Sequence, residues 1–264
     1  MWPSTFLPHE GGNPFKTSRH DQLTESRTTM KPLLLGDYVT APAYGQLAAT
    51  PYGCLHTYDV ADFLARWPEL HQEALALLGD DRIHPTAYVH PQAIVGDDVI
   101  IGPNVKVYEF STVRKASVLC AGASVGFNCE VTSAFVGEGT VLGHRIGINR
   151  TIVGNRAHLS AGVTVAAIAV SADMSAPERE ICLRTEGGAY RCGTAQFGAV
   201  IGDRVQTGNN ISLGPGVLVG RSSQIDSGVT LAIRAVPDNS VVTAPHTAQT
   251  RIRSRNAGVE EMLP

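Results

Sequence analysis

Residues 83–136 read IHPTAYVHPQAIVGDDVIIGPNVKVYEFSTVRKASVLCAGASVGFNCEVTSAFV, and an aliphatic side chain returns at every sixth position: Ile83, Val89, Val95, Ile101, Val107, Val113, Leu119, Val125 and Val131. Repetition at a fixed short period is the signature of a solenoid, in which each repeat buries its apolar side against the next. A period of six does not match the 3.6 residues of a helical turn, so an amphipathic helix is excluded. After one-residue slips the series continues through Val136, Leu142 and Ile148, then Val153, Leu159 and Val165. It resumes as Ile201, Thr207, Leu213, Val219, Ile225 and Leu231, with Thr207 alone breaking the aliphatic rule. Glycine follows the aliphatic position repeatedly, as at Gly96, Gly102, Gly126, Gly137, Gly143 and Gly154.

The pattern predicts an all-β chain, a parallel β-helix of hexapeptide repeats. Each aliphatic residue points inward from one face of a triangular coil, and three hexapeptides, about 18 residues, complete a turn. The glycine, asparagine and aspartate after the inward residue suit sharp corners. Residues 83–170 provide about five coils and 201–236 about two more. The β-helix is therefore set at 83–242. Residues 171–197 interrupt it, and ICLRT and AYRC around Glu186-Gly187-Gly188 read as a projecting hairpin loop. Residues 30–82 form a small helical N-terminal cap: Asp59 caps VADFLARW, Pro68 opens a second helix ELHQEALALL, and Gly79 stops it. Trp67, Leu70, Leu75 and Leu78 are core packing. Residues 1–29, polar and poor in aliphatics, read as a mobile extension, with Met30 as an alternative start. Residues 243–264, carrying Arg251, Arg253 and Arg255, read as a tail along the exterior.

Composition narrows the function classes. Of 264 residues 43% are hydrophobic and 17% charged, enough to bury a core. A net charge of −3 gives no electrostatic footprint for nucleic acid. No apolar run reaches the ~20 residues of a membrane-spanning helix. The opening MWPSTFLPHEGGNPF lacks the basic and apolar regions of a secretory leader. With five cysteines, an odd number, the chain suits a reducing, cytoplasmic setting.

His144, in VGEGTVLGHRIGINRTIVG, follows a corner glycine, where side chains point outward. Imidazole is a general base for an attacking amine or hydroxyl. The longer stretch VGFNCEVTSAFVGEGTVLGHRIGINRTIVG resembles, slips included, the acetyltransferase domain of the bifunctional N-acetylglucosamine-1-phosphate uridylyltransferase/glucosamine-1-phosphate acetyltransferases. The later FGAVIGDRVQTGNNISLGPGVLVG is similar to the archaeal-type sugar-phosphate nucleotidylyltransferases that carry such a domain. The resemblance covers roughly 83–240, and the glycine-rich nucleotidyltransferase signature is absent. It implies a left-handed β-helix, a homotrimer, and acetyl-CoA or another acyl-CoA as cosubstrate with no metal. It puts His144 on the catalytic base, Glu130 beside the acceptor amine as a second catalytic residue orienting the nucleophile or the imidazole, and Arg114 at the acceptor phosphate. Ala161, Asn209 and Ser227 fall along the coenzyme A arm, and Asn128 and His158 on the acceptor side. A backbone N–H near Ala161 or Gly143 is the expected oxyanion donor.

Several acceptor anchors of that family are replaced: Thr132 stands for a lysine, Gly147 for a tyrosine, His158 for an asparagine, and Ala167-Ile168 for an Asn-Tyr pair. Each charge-assisted contact contributes about 1.5–3 kcal/mol, so their loss points to a different small-molecule acceptor. The hairpin arginines, Arg184 among Arg179 and Arg191, are candidate substitutes. A zinc site would need three imidazoles, two of them close; His144 and His158 lack a third partner in the central coils. Cys120 and Cys129 read as small buried thiols. Acyl transfer to an amino sugar, a nucleotide sugar or another small amine is the leading expectation. The alternative is a non-catalytic trimeric binding or scaffold protein on the same fold.

Overall fold

The computed structural model describes residues 32–185, 187–232 and 234–244. The expected extension 1–29, Glu186 of the hairpin, and the tail beyond 244 with its three arginines lie outside the described residues.

The chain is a parallel β-solenoid of three faces. The first face stacks Tyr88–Val89, Lys106–Val107, Ser124–Val125, Val141–Leu142, His158–Leu159, Gln206–Thr207, Gln224–Ile225 and Val241–Val242. The second stacks Ile94–Val95, Thr112–Arg114, Glu130–Thr132, Gly147–Asn149, Thr164–Val165, Ser212–Leu213 and Thr230–Leu231. The third runs Ile100–Ile101, Val118–Leu119, Phe135–Val136, Ile152–Val153, Ala199–Ile201, Val217–Val219 and Ala235–Val236. Register pairs like with like, Val107 with Val125 and Ile148 with Val165, so the sixth-residue series forms one buried aliphatic column per face. Thr207 keeps its place in that column because its Oγ1 accepts the Ser160 N–H at 2.9 Å.

The glycines after the inward position have a different cause from the one read in the sequence. A Cβ on Gly126 would lie 1.9 Å from the Gly143 carbonyl oxygen, and one on Gly154 2.5 Å from Asp203 Oδ1. Close stacking of adjacent coils excludes a side chain there. The left-handed corners come two residues later and are often not glycine: Asn128, Arg145, Arg156 and Arg204 all have positive φ. Asparagine enters that region easily, whereas arginine is held there by its neighbours.

A second core covers the third face. Its outward row, Ile100, Val118, Phe135, Ile152, Val200 and Leu218, is buried against the cap. Short 3-10 turns, Leu35–Asp37, Gln46–Ala49 and Pro51–Thr57, lead into one helix, α1 (Val60–Leu78). Asp59 caps α1 through the Ala61 and Asp62 amides, and Gly79 ends it at φ 52. The two expected helices are one. Pro68 lies inside α1 on the exposed side, while Phe63, Trp67, Leu70, His71 and Ala74 keep one buried face through the missing hydrogen bond. Inside the cap a relay is fully satisfied. The Asp98 carbonyl can only accept, so His71 Nε2–H donates to it (2.6 Å) and Nδ1 accepts from the Tyr52 hydroxyl (2.7 Å). The Tyr52 oxygen in turn accepts from Trp67 Nε1–H at 3.1 Å.

A strap before α1 ties the cap to later coils. Buried Asp203 accepts from the Thr40 amide and hydroxyl, and Arg221 donates to the Tyr38 and Gly36 carbonyls. The hairpin, Cys182–Thr185 with Gly188–Arg191, leaves the coil between the second and third faces, after Thr164–Val165 and before Ala199–Ile201. Its inner residues Ile181, Leu183, Tyr190 and Cys192 join the cap core, and the Tyr190 hydroxyl bonds Asp59. Among the described residues no helix is long and apolar enough to cross a membrane.

Candidate active site at one corner of the solenoid

The corner between the first and second faces is a ladder. Arg145 N–H donates to the Phe127 carbonyl, Gly162 N–H to His144, Asn210 N–H to Ala161 and Gly228 N–H to Asn209. Phe127, His144, Ala161, Asn209 and Ser227 are therefore successive rungs of one line. Asn128 follows Phe127 there at φ 53, exposed. Sequence reading placed His144, Asn128, Ala161, Asn209 and Ser227 from separated segments, and the fold brings them onto this one edge.

Side chains cap the ladder's inward amides from above. Asn209 Oδ1 accepts Ala161 N–H (3.1 Å), and Ser227 Oγ accepts Asn209 N–H (2.9 Å). Gly143 N–H is taken by the Leu159 carbonyl. The amides of Ala161 and Gly143 themselves are thus engaged, which leaves the neighbouring His144 amide as the donor near Gly143. The capping series stops at His144, because Ala161 on the next rung offers no acceptor. The His144 amide makes no hydrogen bond within the described residues, and neither does its exposed ring. Beneath the corner, buried Cys129 donates from Sγ to the Gly143 carbonyl (3.4 Å) and accepts the Ile146 amide (3.5 Å). Burial raises the thiols of Cys129 and Cys120 above the usual range, so both stay protonated.

Glu130 and Arg114 lie on the second face. Arg114 Nη2–H donates to Glu130 Oε1 at 2.5 Å, and Arg114 Nε–H reaches Thr132 Oγ1 at 3.3 Å. The Glu130 amide binds the Ile146 carbonyl, which joins this face to the His144 corner, but no hydrogen bond links its carboxylate to the imidazole. Among the described residues the Glu130 carboxylate pairs with Arg114 rather than with the His144 ring. His158 is exposed on the first face, beside Val141 and Gln206. Arg184 is exposed on the outer row of the hairpin, whose other side is packed on the third face, so within one chain it does not approach His144. Arg191 is paired with Glu180, and Arg179 donates to Ser171. Among the described residues no group of three or more His, Cys, Asp or Glu is placed to hold a metal ion.

Aromatic residues were missed. Phe127, one rung from His144, meets Phe110 edge-on at 5.7 Å, and Tyr88 meets Tyr108 at 6.4 Å. Phe110 is 52% exposed and Tyr88 49%, unusual for large rings in a chain with 6% aromatics. The signal was present, since Phe110 and Phe127 stand at the same corner of adjacent coils.

Fold and corner together define a hexapeptide-repeat solenoid with an unpartnered histidine on its edge. Residues 77–181 match the family model of the GMPPB C-terminal domain. The chain is 25% identical over 121 residues to a bifunctional sugar-1-phosphate nucleotidylyltransferase/acetyltransferase of Sulfurisphaera tokodaii, covering 46% of this chain and 29% of that protein. It is 28% identical over 113 residues to the bifunctional protein GlmU of Methanococcus vannielii, covering 43% and 26%. The chain thus spans under a third of the length of these curated relatives. Among solved structures, the acetyltransferase domain of PglB from Neisseria gonorrhoeae in complex with acetyl coenzyme A aligns over 70% of this chain and 65% of that one, at 17% identity and a TM-score of 0.34.

Proposed function

We propose that the protein is an acyl-CoA-dependent acyltransferase, an N-acetyltransferase for an amino sugar, a nucleotide sugar or another small amine, with His144 as general base. The observation that carries this reading is the coincidence, at one residue, of an exposed unpartnered imidazole and an unpaired backbone amide. The acceptor amine attacks the thioester carbonyl carbon, and the imidazole takes the amine proton as the C–N bond forms. The His144 N–H stabilises the tetrahedral oxyanion. Collapse breaks the C–S bond, and the departing thiolate takes the proton from His144, leaving an amide and free coenzyme A.

In this reading the pantetheine arm runs along the ladder past Ala161, Asn209 and Ser227. Asn209 and Ser227 shape that groove while their oxygens serve the backbone. Arg114, steadied by Glu130, receives an anionic group of the acceptor, and Asn128 and His158 line its approach. The exposed edge of Tyr88, Tyr108, Phe110 and Phe127 supports burial against second and third copies in a homotrimer, with the corner at the junction between subunits. A neighbour's hairpin is then the only route by which Arg184 could reach an acceptor. A reducing cytoplasm supplies the cosubstrate. A second reading, a trimeric binding or scaffold protein without turnover, draws on the replaced anchors Thr132, Gly147 and His158.

Acetyl-CoA added in a thermal-shift assay separates the two: stabilisation follows RT ln(1 + [L]/Kd), about 2.7 kcal/mol at a hundredfold excess over Kd. Absence of a shift with every acyl-CoA tried refutes the transferase. His144→Ala is expected to lower turnover by roughly 10²–10⁴-fold with the oligomer intact; unchanged turnover removes His144 from the mechanism.

A further inference from the structure

A second cleft opens at a different corner, between the second and third faces, and nothing in the proposed acyl transfer uses it. Its volume is about 290 Å³. One wall is Leu64 and Trp67 of α1, and the floor is a line of left-handed corner residues, Lys115, Ser133 and Arg150, at φ 53, 48 and 47. They lie on three successive coils, as the Ser133 amide bonds the Arg114 carbonyl and the Arg150 amide bonds Thr132. With strands about 4.8 Å apart, Lys115 and Arg150 begin roughly 10 Å from each other with the Ser133 hydroxyl between them.

The charges in this cleft are not balanced from within. Among the described residues neither Lys115 nor Arg150 has a carboxylate partner, and Ser133 donates its hydroxyl to no acceptor. The one acidic side chain lining the cleft, Asp98, accepts the Ala116 amide at 2.8 Å. Two cations against one carboxylate leave a net positive charge beside an apolar indole wall. Partial burial lowers the Arg150 guanidinium below the usual arginine range, while Arg150 and Lys115 both keep an exposed side toward solvent. Two like charges held along one line of corners repel each other, and an anion seated between them relieves that repulsion. Two cations and a hydroxyl arriving from three coils suit a group with three oxygens in separate directions. A planar carboxylate meets that arrangement less well.

We propose that this cleft binds an organic phosphate, its phosphoryl group over Ser133 between Lys115 and Arg150 and its carbon portion against Trp67 and Leu64. The site stands on the opposite edge of the second face from His144 and does not depend on acyl transfer.

The test is calorimetric titration of the full chain with phenyl phosphate, inorganic phosphate and benzoate at millimolar concentration, repeated with Arg150→Gln, Lys115→Gln and His144→Ala. Phenyl phosphate is expected to saturate one site per chain and to bind more tightly than the other two probes. Either cleft variant should weaken it about tenfold or more, as loss of a charge-assisted contact does, while His144→Ala leaves it unchanged. Circular dichroism confirms that the variants are folded, and Arg150→Lys, which keeps the charge, should restore part of the affinity. No binding of phenyl phosphate, equal binding of benzoate, or indifference to both cleft substitutions overturns the proposal. Loss of binding on His144→Ala would move the anion to the acyl-transfer corner and overturn it equally.

Discussion

Replacing Tyr52 by phenylalanine removes one oxygen and keeps the ring that stacks on Phe135 at 5.7 Å. That oxygen both donates to His71 Nδ1 and accepts from Trp67 Nε1–H, and the two rings it joins, His71 and Trp67, are 0% and 7% exposed. Losing it strands a buried acceptor and a buried donor together. At about 1–3 kcal/mol for each orphaned group, the cost is roughly 2–4 kcal/mol, well above the ~1 kcal/mol of a typical single hydrogen bond. The loss should be local, because the relay lies in the cap and the solenoid's aliphatic columns do not touch it. Native-state hydrogen exchange resolves this: amides in the middle of α1 should lose roughly 30- to 1000-fold in protection, while those of Val131 and Leu142 stay unchanged. α1 protection within threefold of the parent, or an even loss across every coil, would refute the relay as described.

Acidification should loosen the same element. Burial holds the His71 pKa below its ordinary value, so the folded cap binds fewer protons than the unfolded one. Its stabilisation is complete above about pH 6.5 and drains as the pH falls through the depressed folded value; α1 exchange at pH 7.5 and pH 5 measures it, and His71→Gln should flatten the slope. Gly126→Ala drives a Cβ into the Gly143 carbonyl, so the corner that carries His144 must shift. A loss of about 1–3 kcal/mol with reduced turnover is expected, and a variant with parental melting and activity would contradict the close stacking. Arg114→Gln breaks a pair whose partners are 48% and 58% exposed, so stability should move by less than ~1 kcal/mol while the acceptor KM rises. A large stability loss with KM unchanged would make the pair structural.

The inward residues were legible because a fixed period carries its own statistics: one position in six, down to the slips at Val136 and Val153, is where the structure buries it. The hairpin and the stop at Gly79 were equally plain, since turn chemistry is local. The seat of the cap was legible too but is written in the outward position. The pairs Ile100-Ile101, Val118-Leu119, Phe135-Val136 and Ile152-Val153 are apolar on both sides, where the other two faces put residues such as Lys106, Gln206, Glu130 and Thr164. Counting only inward residues passes over that contrast. Pro68 misled because its local penalty was weighed without the continuous buried face that outvotes it. The occupied amides of Ala161 and Gly143 could not be foreseen, since their acceptors on Asn209 and Leu159 come from later coils and the pairing depends on register.

The strap that joins Gly36 and Tyr38 to Arg221 spans up to 185 positions of the chain. A solenoid can in principle wind up rung by rung as it leaves the ribosome, each turn needing only the one before it. Here the first part of the described chain to emerge has its anchorage among the last, so the N-terminal clasp must wait, open, until the sixth and seventh windings exist to receive it. During that interval only the early rungs of the third face, Ile100, Val118 and Phe135, are there for the cap to cover. The clasp therefore closes only on a chain whose sixth and seventh windings are already in place.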